Sequence, residues 1–240
     1  VPSSNITMET EVPLMLSRAV VPNDVTFTFH SSRAPMKNVS APELAAMNSH
    51  MERCARELSD ARMDIIASAC LVAIMSQGAG YHRKTQAELE AVCHVEAPDT
   101  QVITSAGALV DSLKAIGAKR VSFITPYMKG LTELVAGYIE NEGIKVKDTI
   151  SLEIPNNLDV GAQDPKNLIE IVKRLDTSNV DAVVLSACVQ MPSLSALAEV
   201  QKSFDVPVLS TAAATVFQIL KALNLPTVVP DAGELLSGKY

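Results

Sequence analysis

The stretch TSAGALVDSLKAIG, residues 104–117, recurs without gaps as TAAATVFQILKALN, residues 211–224. A second matching pair lies upstream of the two copies, where DIIASAC ends at Cys70 and DAVVLSAC ends at Cys188. Both pairs occur in the same order, and each stands where a short apolar run gives way to a helical pattern. Such self-similarity indicates an internal duplication. The sequence therefore predicts two related halves, each with a cysteine at a strand-to-helix junction.

Short runs rich in Val and Ile alternate with longer amphipathic segments along the chain, which is typical of βα units around a parallel sheet. We predict strands close to residues 25–30, 64–69, 101–104, 120–125, 149–154, 181–187 and 206–210. A further strand ends at Val1, and because the chain starts at this junction we expect additional residues before it. The predicted fold class is α/β with parallel sheets.

Three helices have recognisable end signals. Ser40 and Glu43 have the spacing of a capping box, and Asp164 before Pro165 is typical of an N-cap followed by the first helical residue. Gly143 is expected to end a third helix. The apolar stripe predicted behind the capping box consists of Leu44, Met47, Met51, Cys54 and Leu58. These stripes predict helices that cover the sheets.

The composition excludes several classes of partner. The net charge is −7, and no run of Lys or Arg offers the basic surface that nucleic acids or anionic membranes require. The longest apolar run, residues 65–75, is too short to cross a bilayer, and no charged-then-apolar leader opens the chain. We therefore expect a soluble, cytoplasmic protein with no nucleic acid or membrane as partner.

The four cysteines form no CxxC pair and no tight cluster with His, which excludes a zinc finger and argues against a disulfide scaffold. Cys54 lies on the apolar stripe of a helix and is interpreted as core filler. Cys93 stands beside His94, but no second pair of ligands at usable spacing supports a metal there. Cys70 and Cys188 differ from these two because both end predicted strands.

Ligand sites in parallel α/β sheets lie beyond the carboxyl ends of the strands, where loops lead into helices. If the duplicated halves face each other across a pseudo-twofold axis, Cys70 and Cys188 confront each other across one cleft. The amides and dipole of a helix N-terminus lower a cysteine pKa and favour the thiolate. Free cysteine is most often buried filler, but the repeated strand-end position favours a functional role for these two thiols.

Neutral hydrogen-bond donors are predicted at the same edge. The loop VPSSN provides Asn5, the run SFITPY provides Tyr127, and EIPNN provides Asn157. Such residues commonly cap helices or lie on the surface, but here they follow strands on the rim that carries the cysteines. The backbone N–H groups expected to join them belong to Leu71, Val72 and Val189. No Lys or Arg is near either cysteine in sequence, and the twofold arrangement suits a small dicarboxylate.

Five motifs together resemble those of maleate cis-trans isomerases, within the superfamily of Asp/Glu racemases and arylmalonate decarboxylase. They are VPSSNITMETE (1–11), ACLVAIMSQGAGYH (69–82), FITPY (123–127), EIPNN (153–157) and SACVQMPS (186–193). They occur in the expected order and span essentially the whole chain. One departure is Ile6, where the family pattern leads us to expect a small polar residue after the asparagine.

The resemblance implies two pseudo-symmetric parallel-sheet lobes of the Asp/Glu racemase type, with the active site between them and no metal or organic cofactor. It implies that the last helix of each half packs on the opposite lobe, so that residues 1–104 with 212–240 form one lobe and 105–211 the other. It also implies a homodimer. In the site, it implies Cys70 as nucleophile and Cys188 as acid/base partner. The implied ligands of the substrate carboxylates are Asn5, Tyr127 and Asn157.

The reaction we expect is addition of the Cys70 thiolate to the double bond of maleate, rotation about the resulting single bond, and elimination of fumarate. An amino-acid or hydantoin racemase also uses two facing thiols, but such an enzyme needs a partner for the substrate ammonium. The acidic residues near the loop motifs are Glu9 and Asp159. A decarboxylase needs one reactive cysteine, and a ligand-binding module needs neither. The loop SSRAPMKNVSAPE, residues 31–43, is long enough to be a lid.

Overall fold

Two parallel sheets organise the chain in the computed structural model, which describes residues 1–240. The smaller sheet pairs β1 (Ile65–Ser68) with β2 (Gln101–Thr104). The larger sheet contains β3 (Arg120–Thr125), β4 (Lys145–Ser151), β5 (Ala182–Ser186) and β6 (Val208–Ser210). Its strand order is β4-β3-β5-β6, and every pairing in it is parallel. Parallel neighbours require crossover connections, and the α/β prediction is confirmed.

Eleven α-helices provide the crossovers and cover the sheets. They are α1 (Glu11–Arg18), α2 (Ala41–Asn48), α3 (Met51–Ser59), α4 (Leu71–Met75), α5 (Tyr81–Cys93), α6 (Ser105–Ala115), α7 (Lys129–Asn141), α8 (Asn157–Gly161), α9 (Asn167–Ile171), α10 (Leu194–Gln201) and α11 (Thr211–Ala222). Short 3₁₀ turns follow at Val172–Arg174 and Glu234–Leu236. No helix combines the length and apolar character that a membrane crossing requires.

The two copies of the repeat are α6 and α11, and they pack against each other. Thr104 caps α6 by accepting a hydrogen bond from the Gly107 N–H at 2.9 Å, whereas Ser210 caps α11. The structural equivalent of Thr104 at the N-cap is therefore Ser210, one residue before the position that the ungapped match pairs with it. After the helices, Gly117 and Asn224 both have positive φ, of 76° and 55°. The helices thus share their ends, although α11 is one residue longer.

Five of the predicted strands are confirmed near their expected positions, and two predictions are wrong. Residues 25–30 form no strand; they alternate in burial as a strand would, but they lie along an apolar groove of about 730 Å³ beside β1 without a ladder partner. The strand expected to end at Val1 is reduced to an isolated bridge between Pro2 and Ala34. The strand predicted at 149–154 begins earlier, as β4, because an edge strand tolerates the polar residues that precede Thr149.

The helix signals were partly right. The predicted stripe is divided between α2 and α3, and Ser40 makes no side-chain capping bond. Glu43 instead accepts hydrogen bonds from the backbone N–H groups of Lys37 and Asn38, at 2.6 and 2.9 Å. The helix expected from Pro165 begins at Asn167, in α9. Gly143 does follow α7, with φ of 86°.

One continuous apolar core extends between the two sheets and includes both Cys70 and Cys188. A separate small cluster under α3 and α5 contains Cys93, which is fully buried. Cys54 is partly buried and packs against the main core. The division of the chain into lobes at residues 104 and 212 stays a prediction. The main core brings the two repeated cysteines into one region of the molecule.

Candidate active site

Cys70 stands between β1 and α4, in the N-cap position of that helix. It is buried, and its thiol accepts a hydrogen bond from the Ala73 N–H of the first helical turn. Burial raises the pKa of the Cys70 thiol to about 12; the Ala73 N–H opposes the rise, and the nearby Cys188 adds to it. The helix N-terminus therefore acts in the expected direction, but burial outweighs it, so the neutral thiol is the stable form at neutral pH.

Cys188 follows β5 in a tight turn, and not at a helix N-terminus as predicted, because α10 begins only at Leu194. Ser186 closes the turn by donating its hydroxyl to the carbonyls of Cys188 and Met191, at 2.9 and 3.2 Å. The Cys188 sulfur accepts a hydrogen bond from the Gln190 N–H at 3.4 Å. Burial raises the pKa of Cys188, while hydrogen bonds from the Tyr127 hydroxyl and the backbone of Gln190 and Met191 lower it.

The two thiols share one buried region with Tyr127. Each thiol contributes to the raised pKa of the Tyr127 hydroxyl, for which burial is the largest cause. The charge of Cys188 also raises the pKa of Cys70, so the two sulfurs interact directly. All three side chains are at most 5% exposed. The structure therefore brings together the two cysteines that the repeat singled out, and they are expected to titrate as a pair.

Asn5 presents an unpaired donor in the core of the molecule. Its side chain is fully buried, and its Oδ1 accepts a hydrogen bond from the Met8 N–H at 3.0 Å. Its Nδ2 has no hydrogen-bond partner. Leaving a buried donor unpaired costs about 1–3 kcal/mol, so such a group in a native fold calls for an acceptor. A carboxylate oxygen is an acceptor of this kind.

Asn157 lies at the start of α8 and is also buried. Its Nδ2 donates to the Ser4 hydroxyl at 2.8 Å, and Ser4 donates to the Met36 carbonyl at 2.6 Å. Its backbone N–H donates to the Lys37 carbonyl at 3.1 Å. The segment predicted as a lid thus contacts both the first loop and the loop that carries Asn157.

Three backbone N–H groups complete the set of predicted donors. Leu71 and Val72 occupy the first turn of α4, where N–H groups have no intrahelical acceptor. Val189 lies in the turn directly after Cys188. All three residues are buried. The predicted donors are therefore neutral, and each belongs to a loop or helix start that adjoins one of the thiols, the first loop or Asn157.

Charged groups lie behind this site. Arg33 donates to the carbonyls of Ser3 and Asn5, at 2.7 and 3.2 Å, and forms an ion pair with Glu9. Asp159 is exposed to solvent. The side chain of Ile6 is 47% exposed, so this departure from the family pattern lies on the surface, away from the buried Asn5 amide. No group of three or more His, Cys, Asp or Glu side chains is placed to hold a metal ion.

Sequence reasoning missed two buried polar residues that hold the site loops. Glu11, on α1, accepts hydrogen bonds from the Ser193 and Leu194 N–H groups, both at 2.7 Å, and so caps α10 from another element. Burial raises the pKa of Glu11, and these hydrogen bonds lower it. Gln190 is 2% exposed and connects the Cys188 turn with the first loop. Both residues lie inside the quoted motifs, but their partners are more than 180 positions away.

Comparison with known proteins agrees with this geometry. The family described as arylmalonate decarboxylase matches residues 16–236. The maleate isomerase of Geobacillus stearothermophilus is 59% identical, over 100% of this chain and 96% of that protein. The solved maleate isomerase Iso of Pseudomonas putida S16, a cysteine-to-alanine variant with maleate, has a TM-score of 0.97 at 55% identity and covers 100% and 96% of the two chains.

A second solved structure is that of the Nocardia farcinica maleate cis-trans isomerase, in a cysteine-to-serine mutant with a covalently bound succinylcysteine intermediate. It has a TM-score of 0.94 at 42% identity and covers 100% of this chain and 96% of its own. These matches confirm the resemblance carried by the five motifs and the two-lobed Asp/Glu racemase type of fold. The chain belongs to the arylmalonate decarboxylase family and, within it, to the maleate isomerases.

Proposed function

We propose that this protein converts maleate to fumarate, with Cys70 as the nucleophile and Cys188 as the acid/base partner. The observation that carries the proposal is the pair of buried, interacting thiols in one region with the unpaired Asn5 amide. The full-length identity of 59% to a maleate isomerase selects the substrate. The division of roles between the two cysteines rests on the family motifs.

Neutral donors bind the two carboxylates in this proposal. The Asn5 Nδ2 is free to donate, and Tyr127 and Asn157 lie in the same set of buried loops. The N–H groups of Leu71, Val72 and Val189 add to them. Hydrogen bonds to charged groups contribute about 1.5–3 kcal/mol each, so several such donors bind a dianion without a cationic side chain.

The reaction begins when one proton has left the thiol pair, leaving Cys70 as thiolate and Cys188 protonated. The sulfur lone pair forms a C–S bond to one olefinic carbon, and the π electrons move to the neighbouring carbon and its carboxylate. Hydrogen-bond donors around that carboxylate stabilise the developing charge. Cys188 then gives its proton to the neighbouring carbon.

The adduct is a single-bonded succinyl group, so its central C–C bond rotates and the two carboxylates move apart. Cys188 removes the proton again, the double bond re-forms, and the C–S bond breaks with the electron pair returning to Cys70. No oxidant, reductant or further reagent enters this balance, and the sequence of steps requires neither metal nor organic cofactor. The succinylcysteine in the Nocardia farcinica mutant, in which serine replaces a cysteine, is the kind of adduct that this route forms.

The rival reaction is racemisation of an amino acid, which would place a substrate ammonium group in the same site. The carboxylates near the loops are engaged elsewhere: Glu9 pairs with Arg33, and Glu11 caps α10. Proton NMR in D2O with maleate, and separately with D-aspartate, distinguishes the reactions. Fumarate from maleate supports the proposal, whereas deuterium exchange at Cα of aspartate without fumarate formation refutes it.

Variants of the two cysteines test the assigned roles. In Cys188→Ser, we expect mass spectrometry after incubation with maleate to find a succinyl adduct on Cys70, and we expect most turnover to be lost. The matched variant Cys93→Ser changes a buried thiol in a separate apolar cluster and should isomerise maleate like the unmodified protein. Full activity in Cys188→Ser, or an adduct that persists in Cys70→Ala, contradicts the assignment.

The proposal extends to the organisation of the enzyme, on the family resemblance and the composition. Residues 1–104 with 212–240 form one lobe and residues 105–211 the other, and residues 31–43 close over the substrate. The enzyme is a cytoplasmic homodimer. Sedimentation of the purified protein tests the dimer, since a single species at the mass of one 25.6 kDa chain contradicts it.

A further inference from the structure

Gln190 has four side-chain hydrogen bonds, and every partner is a backbone group of a loop that carries a proposed site residue. Its Oε1 accepts from the N–H groups of Ile6 and Thr7, at 3.0 and 3.4 Å. Its Nε2 donates to the carbonyls of Ser4 and Asn157, both at 2.9 Å. The side chain is 2% exposed, so water does not compete for these bonds.

The four bonds place Gln190 between the two asparagines. Ser4 and Ile6 flank Asn5 in the chain, so the Gln190 amide holds the backbone on both sides of the unpaired donor. On its other side it holds the carbonyl of Asn157 itself. The main chain of Gln190 adds two contacts: its N–H reaches the Cys188 sulfur at 3.4 Å, and its carbonyl accepts from the Thr7 hydroxyl at 2.6 Å. One residue thus joins the Asn5 loop, Asn157 and the Cys188 turn.

The packing around Gln190 leaves no room for its amide to move. A Cβ at Gly161 would lie 2.5 Å from Gln190 Nε2 and 3.1 Å from the Ile6 side chain. Both N–H bonds of the amide are used, so it has no donor left for a substrate carboxylate. Its role therefore acts through the residues that it holds.

We infer that Gln190 is a positioning residue that sets the separation of the Asn5 and Asn157 side chains, and with it the fit of the site to a four-carbon dicarboxylate. The inference rests on the proposed function. Hydrogen bonds from positioned donors to a dianion depend steeply on distance, and displacement by about 1 Å can cost a hundredfold in rate. Releasing the Gln190 amide should therefore weaken maleate binding more than it weakens the fold.

The test compares Gln190→Leu with a matched control, Gln201→Leu. Gln201 also makes four side-chain hydrogen bonds to backbone groups: to the carbonyls of Phe204 and Val206, and from the N–H groups of Val208 and Glu234. These partners lie at the amino end of β6 and beyond, whereas Cys188 follows the carboxyl end of β5. We expect Gln190→Leu to raise the KM for maleate by about tenfold to a hundredfold, and Gln201→Leu to leave it within about twofold.

Two further variants separate positioning from folding. In Gly161→Ala, the new methyl group displaces the Gln190 amide without altering it, so KM should rise in the same direction but by less. In Gln190→Glu, the carboxylate still accepts from Ile6 and Thr7 but meets the carbonyls of Ser4 and Asn157 without a proton to donate. Its kcat/KM should therefore recover as the pH falls and the carboxyl group becomes protonated, relative to the unmodified enzyme at each pH.

The outcomes distinguish the inference from the function on which it rests. If the unmodified enzyme forms no fumarate, the proposed function fails. If it forms fumarate and Gln190→Leu and Gly161→Ala keep the KM of the Gln201→Leu control, the positioning role is refuted. A raised KM in both variants, at a thermal midpoint no lower than that of Gln201→Leu, supports it. If Gln190→Leu does not fold, Gly161→Ala and the pH profile of Gln190→Glu decide.

Discussion

The high pKa of the Cys70 thiol has a direct consequence for its reaction with iodoacetamide. Burial raises this pKa from an ordinary value of 9.0 to about 12. Three pH units reduce the thiolate fraction at pH 8 about 1000-fold, but a more basic thiolate is also a better nucleophile, by roughly 30-fold for a Brønsted slope near 0.5. The alkylation rate at pH 8 should therefore be about 30-fold below that of a free cysteine derivative, before restricted access slows it further.

The pH dependence separates the pKa from access, because access lowers the rate at every pH. For a group with a raised pKa, the neutral form persists until the pH reaches the new value, so the rate should keep rising about tenfold per pH unit between pH 7 and pH 10. Quenched labelling followed by mass spectrometry of the Cys70 peptide measures this slope, with a free cysteine derivative as the reference. A rate that levels off below pH 9 refutes the raised pKa.

Three other changes test separate parts of the structure. Asn5→Ala removes the unpaired donor, so the KM for maleate should rise about tenfold to a hundredfold while the urea midpoint changes little; an unchanged KM removes Asn5 from the site. Cys188→Ser should bind maleate with near-normal affinity by calorimetry but lose most turnover, and loss of binding would contradict its assigned role. The pKa of Glu142 is lowered to about 2, chiefly by the hydrogen bonds from Arg83. Its stabilisation is complete above pH 5 and is lost as the pH falls towards 2. Because Arg83 is 60% exposed, Glu142→Gln should cost only about 1 kcal/mol at pH 7 and nothing near pH 2, measured by urea unfolding; an equal cost at both values contradicts the ion pair.

Local signals predicted much of the fold. Runs of Val and Ile gave five strands close to their positions, because a buried parallel strand needs little beyond apolar, β-branched residues. Residues 25–30 show the limit of that signal, since their alternation reports one buried side but not the presence of a neighbouring strand. The repeat found both cysteines, but it placed Cys188 at a helix N-terminus because the turn after β5 has no counterpart after Cys70.

The parts of the site that escaped prediction are non-local. The hydrogen bond from Ile6 to Gln190 spans 184 positions, and the bond from Ser193 to Glu11 spans 182. No periodicity or short motif encodes contacts of that range, because they arise only when the two ends of the chain meet. Glutamine is also a common surface residue, so its type carried no signal. The raised pKa of Cys70 had the same origin, since burial depends on elements far from α4.

The neutral donor set described around the thiols also shapes how the substrate arrives. A protein of net charge −7 repels a dianion at long range, and no opposite charge in the first layer of the site offsets that repulsion. Added salt screens such forces over about 10 Å at 0.1 M. Encounter with maleate should then quicken slightly as ionic strength increases, which is the reverse of the behaviour of anion sites built from lysine and arginine.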